Sequence, residues 1–157
     1  MRPREFDQDD VLRVAFERFW RNGVRGTSLS DIARDAGVQR GSLYNAFGSK
    51  EALFLSAYER YTEEYLDILK KALGTGPLRK RLTAFFDVTI RNFRSGSPPR
   101  GCPTTRGLME LAPGEDGGLD ENARRAFAGL MGRITGLIRE TLSEGAKHGE
   151  FEGDPEI

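Results

Sequence analysis

The sequence predicts an all-α protein, with three short helices at its N-terminus followed by a body of longer ones. Three observations carry this expectation. Apolar residues recur every three or four positions almost throughout. No stretch keeps the period-two alternation of a strand for long. The interruptions fall at Gly, Pro, Ser and Asp, which cap or end helices. A chain of 157 residues holds one ordinary domain, or a small domain leaning on a second. An apolar content of 38%, regularly spaced, argues against disorder.

The first helix is expected from about Asp9 to Asn22, where Val11, Leu12, Ala15, Phe16, Phe19 and Trp20 make one wide apolar stripe. Asp7, Asp9 and Asp10 suit its positive end, and Gly23 supplies a left-handed stop. The second runs from Leu29 to Ala36, with Ser28 as N-cap and Asp31 closing a short-armed capping box. Gly37-Val38 permits only a tight turn before a third helix, Arg40 to Phe47, which stops at Gly48. Ser49 caps a longer fourth helix, Lys50 to Leu73, whose buried side carries Leu53, Ala57, Tyr61, Tyr65, Ile68 and Leu69. At about 1.5 Å per residue it reaches roughly 36 Å.

Gly74-Thr75-Gly76 ends that helix, and Pro77 fits the first position of a fifth, which carries Leu78, Leu82, Phe85, Phe86, Thr89 and Phe93. After Ser97-Pro98-Pro99 a short sixth helix is expected near Thr105 to Leu111, then a Gly/Asp-rich loop from Pro113 to Gly118. Asp120 caps a seventh, Glu121 to Lys147, with Phe127, Leu130, Met131, Ile134, Leu137, Ile138 and Leu142 inward. Gly129, Gly132 and Gly136 share much of one side of it. Each costs about 1 kcal/mol of helix stability relative to Ala, which asks for a close helix neighbour or room for a ligand.

Composition removes several function classes. The one cysteine excludes an intrachain disulfide, and with one histidine it leaves neither a Cys-based zinc site nor most metal-hydrolase designs. No cofactor is implied. No apolar run approaches the roughly 18 residues of a membrane span, and no apolar signal region follows Met1-Arg2-Pro3-Arg4, so the cytoplasm is the expected compartment. An enzyme would need Cys102 as nucleophile and His148 as base, with no oxyanion-type Gly loop or carboxylate pair to help, so no catalysis is expected. Cys102, entering a helix near Arg100, reads either as an oxidant-sensing thiol or as a small buried hydrophobe. His148 reads as a solvated residue at a helix end. The 24 basic and 24 acidic residues cancel, but residues 1–50 hold nine of the former and seven of the latter, which permits a basic face there.

The informative segment is Thr27 to Lys50, TSLSDIARDAGVQRGSLYNAFGSK. Helix, Gly-containing turn, helix is the helix-turn-helix arrangement. Ile32, Ala33, Val38, Leu43 and Phe47 can share one small core, which leaves Arg40, Ser42, Tyr44, Asn45 and Ala46 pointing outwards. Arginine forks onto guanine, asparagine onto adenine, and hydroxyls reach phosphates. Gly41 lets the helix backbone press on the sugar-phosphate wall, while Thr27, Ser28, Ser49 and Lys50 open helices whose free N–H groups suit phosphates.

In their order, these residues resemble the DNA-binding domain of the tetracycline-repressor (TetR) family of bacterial regulators. The resemblance rests on Phe16 and Phe19 before Gly23, Gly26-Thr27-Ser28, Ile32-Ala33, Ala36-Gly37-Val38, Gly41-Ser42-Leu43-Tyr44, Phe47 and Ser49-Lys50-Glu51-Ala52-Leu53. It covers about Val11 to Leu55. It implies that Arg40 and Asn45 reach base edges, with Gly41 and Ser42 against the groove wall. It also implies that Thr27, Ser28, Tyr44 and Lys50 grip phosphates of a double-stranded operator. Arg2 and Arg4 are either a flexible extra contact or a solvated tail. Gln39 departs from the Ser or Thr common at that place, which leaves it free for a base or phosphate. Asn45-Ala46 departs from the bulkier pair often seen, so no operator sequence carries over.

For the remainder, the resemblance implies a helix-turn-helix domain at 1–49 and a helical ligand-binding and dimerisation domain at 50–157, its last helices apparently absent. Phe85, Phe86, Phe93, Met109, Phe127 and Met131 are candidates to line a pocket for a small, hydrophobic ligand, though their spacing is equally that of a plain core. The function so implied is a homodimeric repressor that leaves a palindromic operator when ligand binds. The alternatives are an activator of the same fold, or a regulator that responds to oxidation at Cys102.

Overall fold

The structure, a computed structural model, describes residues 6–96, 100–110 and 121–153, without the side chains of 108–110. Arg2, Arg4, the Pro113–Gly118 loop, the Asp120 cap and the side chain of Met109 therefore lie outside the described residues. Among the described residues every regular element is an α-helix: α1 Gln8–Asn22, α2 Leu29–Ala36, α3 Arg40–Phe47, α4 Lys50–Leu73, α5 Leu78–Phe93, α6 Pro103–Glu110 and α7 Glu121–Lys147. None of these helices is long and apolar enough to cross a membrane.

Local capping explains most boundaries. The Asp7 carboxylate accepts from the Asp9 amide at 2.9 Å, so α1 starts at Gln8, one residue before the expected Asp9. Ser28 and Asp31 form the full capping box of α2, and Gly37 ends it in the left-handed region at φ 68°. The Ser49 hydroxyl accepts from the Ala52 amide at 3.0 Å and so caps α4. Pro77 is itself the extended cap of α5 rather than its first helical residue. α6 starts two residues earlier than expected because Pro103, with its preset φ and missing N–H, suits a first turn.

The chain divides into two compact units, Met1–Thr62 with Cys102–Ala126, and Glu63–Gly101 with Phe127–Ile157. This division differs from a boundary at residue 49. Aromatic contacts give the reason: Phe16 stacks on Tyr61 with ring centres 4.2 Å apart, and Phe19 meets Phe54 edge-on at 5.3 Å. The first half of α4 is thus part of the core that holds α1, together with buried Val11, Ala15, Trp20, Ile32, Leu43, Leu53, Ala57 and Tyr58. The seam between α1, α4 and α6, lined by Phe16, Trp20, Tyr58 and Pro103 among others, encloses about 10 Å³, room for about one water and no organic ligand.

Tyr58 ties α4 to α6. Its hydroxyl lies 2.7 Å from that of Thr104, and both residues are buried. Burial pushes the phenol up to about 12. Tyr58→Phe leaves the Thr104 hydroxyl without this partner and is expected to cost about 1–3 kcal/mol in chemical denaturation. Between the ordinary tyrosine value, about 10, and the folded value of about 12 the unfolded chain ionises first, so wild-type stability falls as pH rises through that window. The Phe variant loses this component of the slope; identical slopes in both proteins would show that Tyr58 is not held neutral.

In the second unit Tyr65, Leu66, Leu69, Leu73, Leu78, Phe85, Phe127 and Leu130 are buried. The start of α5 is fastened to the end of α7, because the Glu150 carboxylate accepts from the Leu78 amide at 2.8 Å and Arg81 pairs with Glu144 at 2.8 Å. Gly145 is the close-approach glycine of α7, since a Cβ there would sit 2.6 Å from a Leu78 methyl. A Cβ at Gly129, Gly132 or Gly136 would instead meet nothing beyond its own helix backbone within 4 Å, so among the described residues no other helix comes close there.

Candidate nucleic-acid interface

The interface begins with a turn. After α1, Gly23 to Thr27 fold back so that the Thr27 hydroxyl donates to the Gly23 carbonyl at 2.7 Å. Gly26 has no alternative, because a Cβ would stand 2.4 Å from the Asn22 carbonyl oxygen. Lys50, the first residue of α4, donates from Nζ to the Val24 carbonyl at 2.9 Å and so pins the turn to the far end of the motif. An ion pair between Arg18 and Asp35 joins α1 to α2.

The two helices of the motif are held by a minimal core. Ile32 and Ala33 of α2 and Leu43 of α3 are buried, with Val38 and Phe47 half-buried beside them. The rest of α3 is open: Arg40, Gly41, Tyr44, Asn45 and Ala46 are exposed and Ser42 is partly so. Tyr44 is 62% exposed, which is far more than a buried-core role for its ring allows. Gln39 caps α3 through its backbone alone and makes no side-chain cap bond, so its exposed carboxamide stays available. Among the described residues nothing beyond its chain neighbours and own helix backbone lies within 4 Å of where a Gly41 Cβ would be, which suits close approach of a flat partner.

Three of the expected phosphate contacts look different in place. Thr27 is buried and its hydroxyl proton is used inside the turn. The Ser28 hydroxyl already donates to Asp31 at 2.7 Å. That hydrogen bond, with help from Arg34, holds the Asp31 carboxyl below its usual range, so α2 carries its own anion at its N-terminus. Lys50 keeps two further donors but is anchored rather than free.

The arginines of the first three helices and their turns sort into two groups. Arg13 pairs with Asp10, Arg18 with Asp35, and Arg34 with Asp31. Among the described residues Arg21, Arg25 and Arg40 make no ion pair, and all three are exposed. Arg21 stands in the last turn of α1, where a cation complements the helix dipole. Arg25 is a surface residue that periodicity has no means to single out. Its one sequence signal is its place immediately before Gly26-Thr27-Ser28.

The candidate ligand residues do not come together as expected. Phe85 and Phe127 are buried and Phe93 is half-buried, but Phe86 is 55% and Met131 is 45% exposed. The Phe85 and Phe86 rings meet edge-on at 5.3 Å, but only Phe85 is buried. Ile68, 48% exposed, likewise leaves the buried stripe expected for α4. Cys102 is a free, half-buried thiol just before α6. His148 is exposed past the end of α7, with Nδ1 2.9 Å from the Glu144 carbonyl. Among the described residues no three His, Cys, Asp or Glu side chains gather as a metal site would require.

Comparison with known proteins agrees with this geometry. The family described as bacterial regulatory proteins, tetR family, matches residues 11–57. The repressor NemR of Escherichia coli is 29% identical, the match covering 94% of this chain and 74% of NemR. The uncharacterised helix-turn-helix regulator YezE of Bacillus subtilis is 27% identical, over 98% of this chain and 77% of YezE. A cysteine mutant of the TetR-family regulator CifR, solved with a 26-base-pair operator duplex, is 31% identical with a TM-score of 0.78, over 98% of this chain and 78% of CifR.

Proposed function

We infer, because this chain belongs to the TetR family of bacterial transcriptional regulators, that it is a repressor which binds a palindromic operator as a homodimer. The observation that carries this reading is the outward side of α3. It presents Gln39, Arg40, Tyr44 and Asn45 on a helix whose other side is locked by Leu43. Among the described residues Arg40 has no ion-pair partner, and the exposed Asn45 carries the carboxamide that suits adenine. Two copies related by a two-fold axis would set their α3 helices in successive major grooves, about 34–36 Å apart. Such a protein works on DNA in the cytoplasm and needs no catalysis.

Release would follow from a small, largely apolar ligand entering the second unit, with buried Phe85 and Phe127 as the nearest candidates for contact. The 24-residue α4 supplies residues to both units, so a ligand that prefers one tilt of α4 shifts the population of α3 spacings. That NemR bears the name repressor and that CifR was solved with operator DNA both support this reading.

Selection of bound duplexes from a random library tests it. A two-fold symmetric sequence is expected to emerge, and Arg40→Ala should cost about 1–3 kcal/mol and relax one base pair in each half-site. A library that stays random would overturn the reading. A uniform loss across sequences would demote Arg40 to a phosphate contact.

A further inference from the structure

We propose that Arg25, at the apex of the turn between α1 and α2, is a DNA-backbone contact that grips phosphate together with Lys50. The turn is built to hold it. Val24, one residue before, accepts the Lys50 ammonium at 2.9 Å, and Gly26, one residue after, admits no Cβ. Thr27 closes the loop through its bond to Gly23 at 2.7 Å. Arg25 is thus an exposed residue of a braced turn, next in sequence to the residue that anchors a second cation, Lys50.

Neither cation makes an ion pair among the described residues, whereas Arg13, Arg18 and Arg34 nearby are all paired. Cations left without an internal counter-charge are open to an anionic partner. Lys50 begins only three residues after the end of α3, so this pair flanks the helix that enters the groove. The other obvious phosphate site is compromised, because α2 already holds the Asp31 carboxylate at its N-terminus. A phosphodiester meets better compensation at Arg25 and Lys50 than at Ser28. Contacts of this kind add affinity without reading sequence.

The inference rests on the regulator reading, and one experiment separates the two. Binding of the full chain is followed by fluorescence anisotropy on two probes, the duplex emerging from selection and a mixed-sequence duplex three helical turns long. Wild type, Arg25→Ala, Arg25→Lys and Arg79→Ala are compared across salt, Arg79 being an exposed arginine of α5. Arg25→Ala is expected to lower the slope of log affinity against log salt by about 0.9 on both probes. The ratio of wild-type to variant affinity then shrinks about 3.5-fold between about 50 and 200 mM salt. Arg25→Lys should keep the wild-type slope, and Arg79→Ala should match wild type. An unchanged slope in Arg25→Ala, or a loss confined to one base pair of the selected duplex, overturns the role of Arg25. Wild type that binds neither probe overturns the regulator reading itself, before any variant is compared.

Discussion

Leu43→Ala is expected to unseat α3 and remove DNA binding of every kind, specific and non-specific. α3 is only eight residues long, its N-cap makes no side-chain bond, and Leu43 is its one fully buried side chain, 1% exposed. Two turns of helix are not stable alone in water, so α3 persists because Leu43 fills the space beside Ile32 and Ala33. Truncation leaves a cavity and should cost about 2–5 kcal/mol, a large share of the 5–15 kcal/mol typical of a whole domain. Denaturant titration measures that loss, and amide exchange shows whether α3 opens before the rest. Leu43→Met, which keeps the volume, should lose under about 1.5 kcal/mol and still bind. Should Leu43→Ala stay within experimental error of wild type, the core of the motif lies elsewhere.

Gly26→Ala is expected to destabilise the same unit by about 1–3 kcal/mol, against the usual sign of a glycine-to-alanine change. Alanine ordinarily stabilises by reducing the freedom of the unfolded chain. Here its Cβ would lie 2.4 Å from the Asn22 carbonyl oxygen, and backbone cannot step aside as a side-chain tip can. Relief requires the turn to open, which pulls Val24 from Lys50 and moves Arg25. The variant should therefore lose both melting temperature and part of the salt dependence of DNA binding. Gly41→Ala makes the contrast, because nothing lies within 4 Å of its Cβ and the free protein should tolerate it. Equal stability of the two alanine variants would mean that the turn adapts freely.

Much of the architecture was legible because helix ends are local events. Ser28 with Asp31, Gly37, Gly48 and Ser49 mark boundaries through bonds or torsions spanning four residues or fewer, and α2, α3 and α4 begin and end where those residues place them. Part of the outward set on α3 was legible for the same reason: once Leu43 is inside, the helical repeat turns Tyr44 and Asn45 away from it, whereas Arg40, one turn before Leu43, is exposed at the open first turn of the helix. Orientation of the longer helices was less so. Ile68, Phe86 and Met131 sit at the margins of wide apolar stripes, where periodicity allows either side.

By itself, then, the sequence determined the all-α class, the capped helix-turn-helix and the chemistry available on the exposed residues of α3, since each follows from neighbours along the chain. Only the tertiary structure decided which polar groups are already committed. Thr27, itself buried, turns its hydroxyl to Gly23, and Lys50 reaches 26 residues back to Val24. It also decided that, among the described residues, Arg25 and Arg40 make no ion pair while Arg18 finds Asp35 across a helix pair. A hydrogen bond or ion pair depends on distances of about 3 Å between atoms that folding alone brings together. Residue type states what a side chain can bind, and the fold determines whether it is still free to do so.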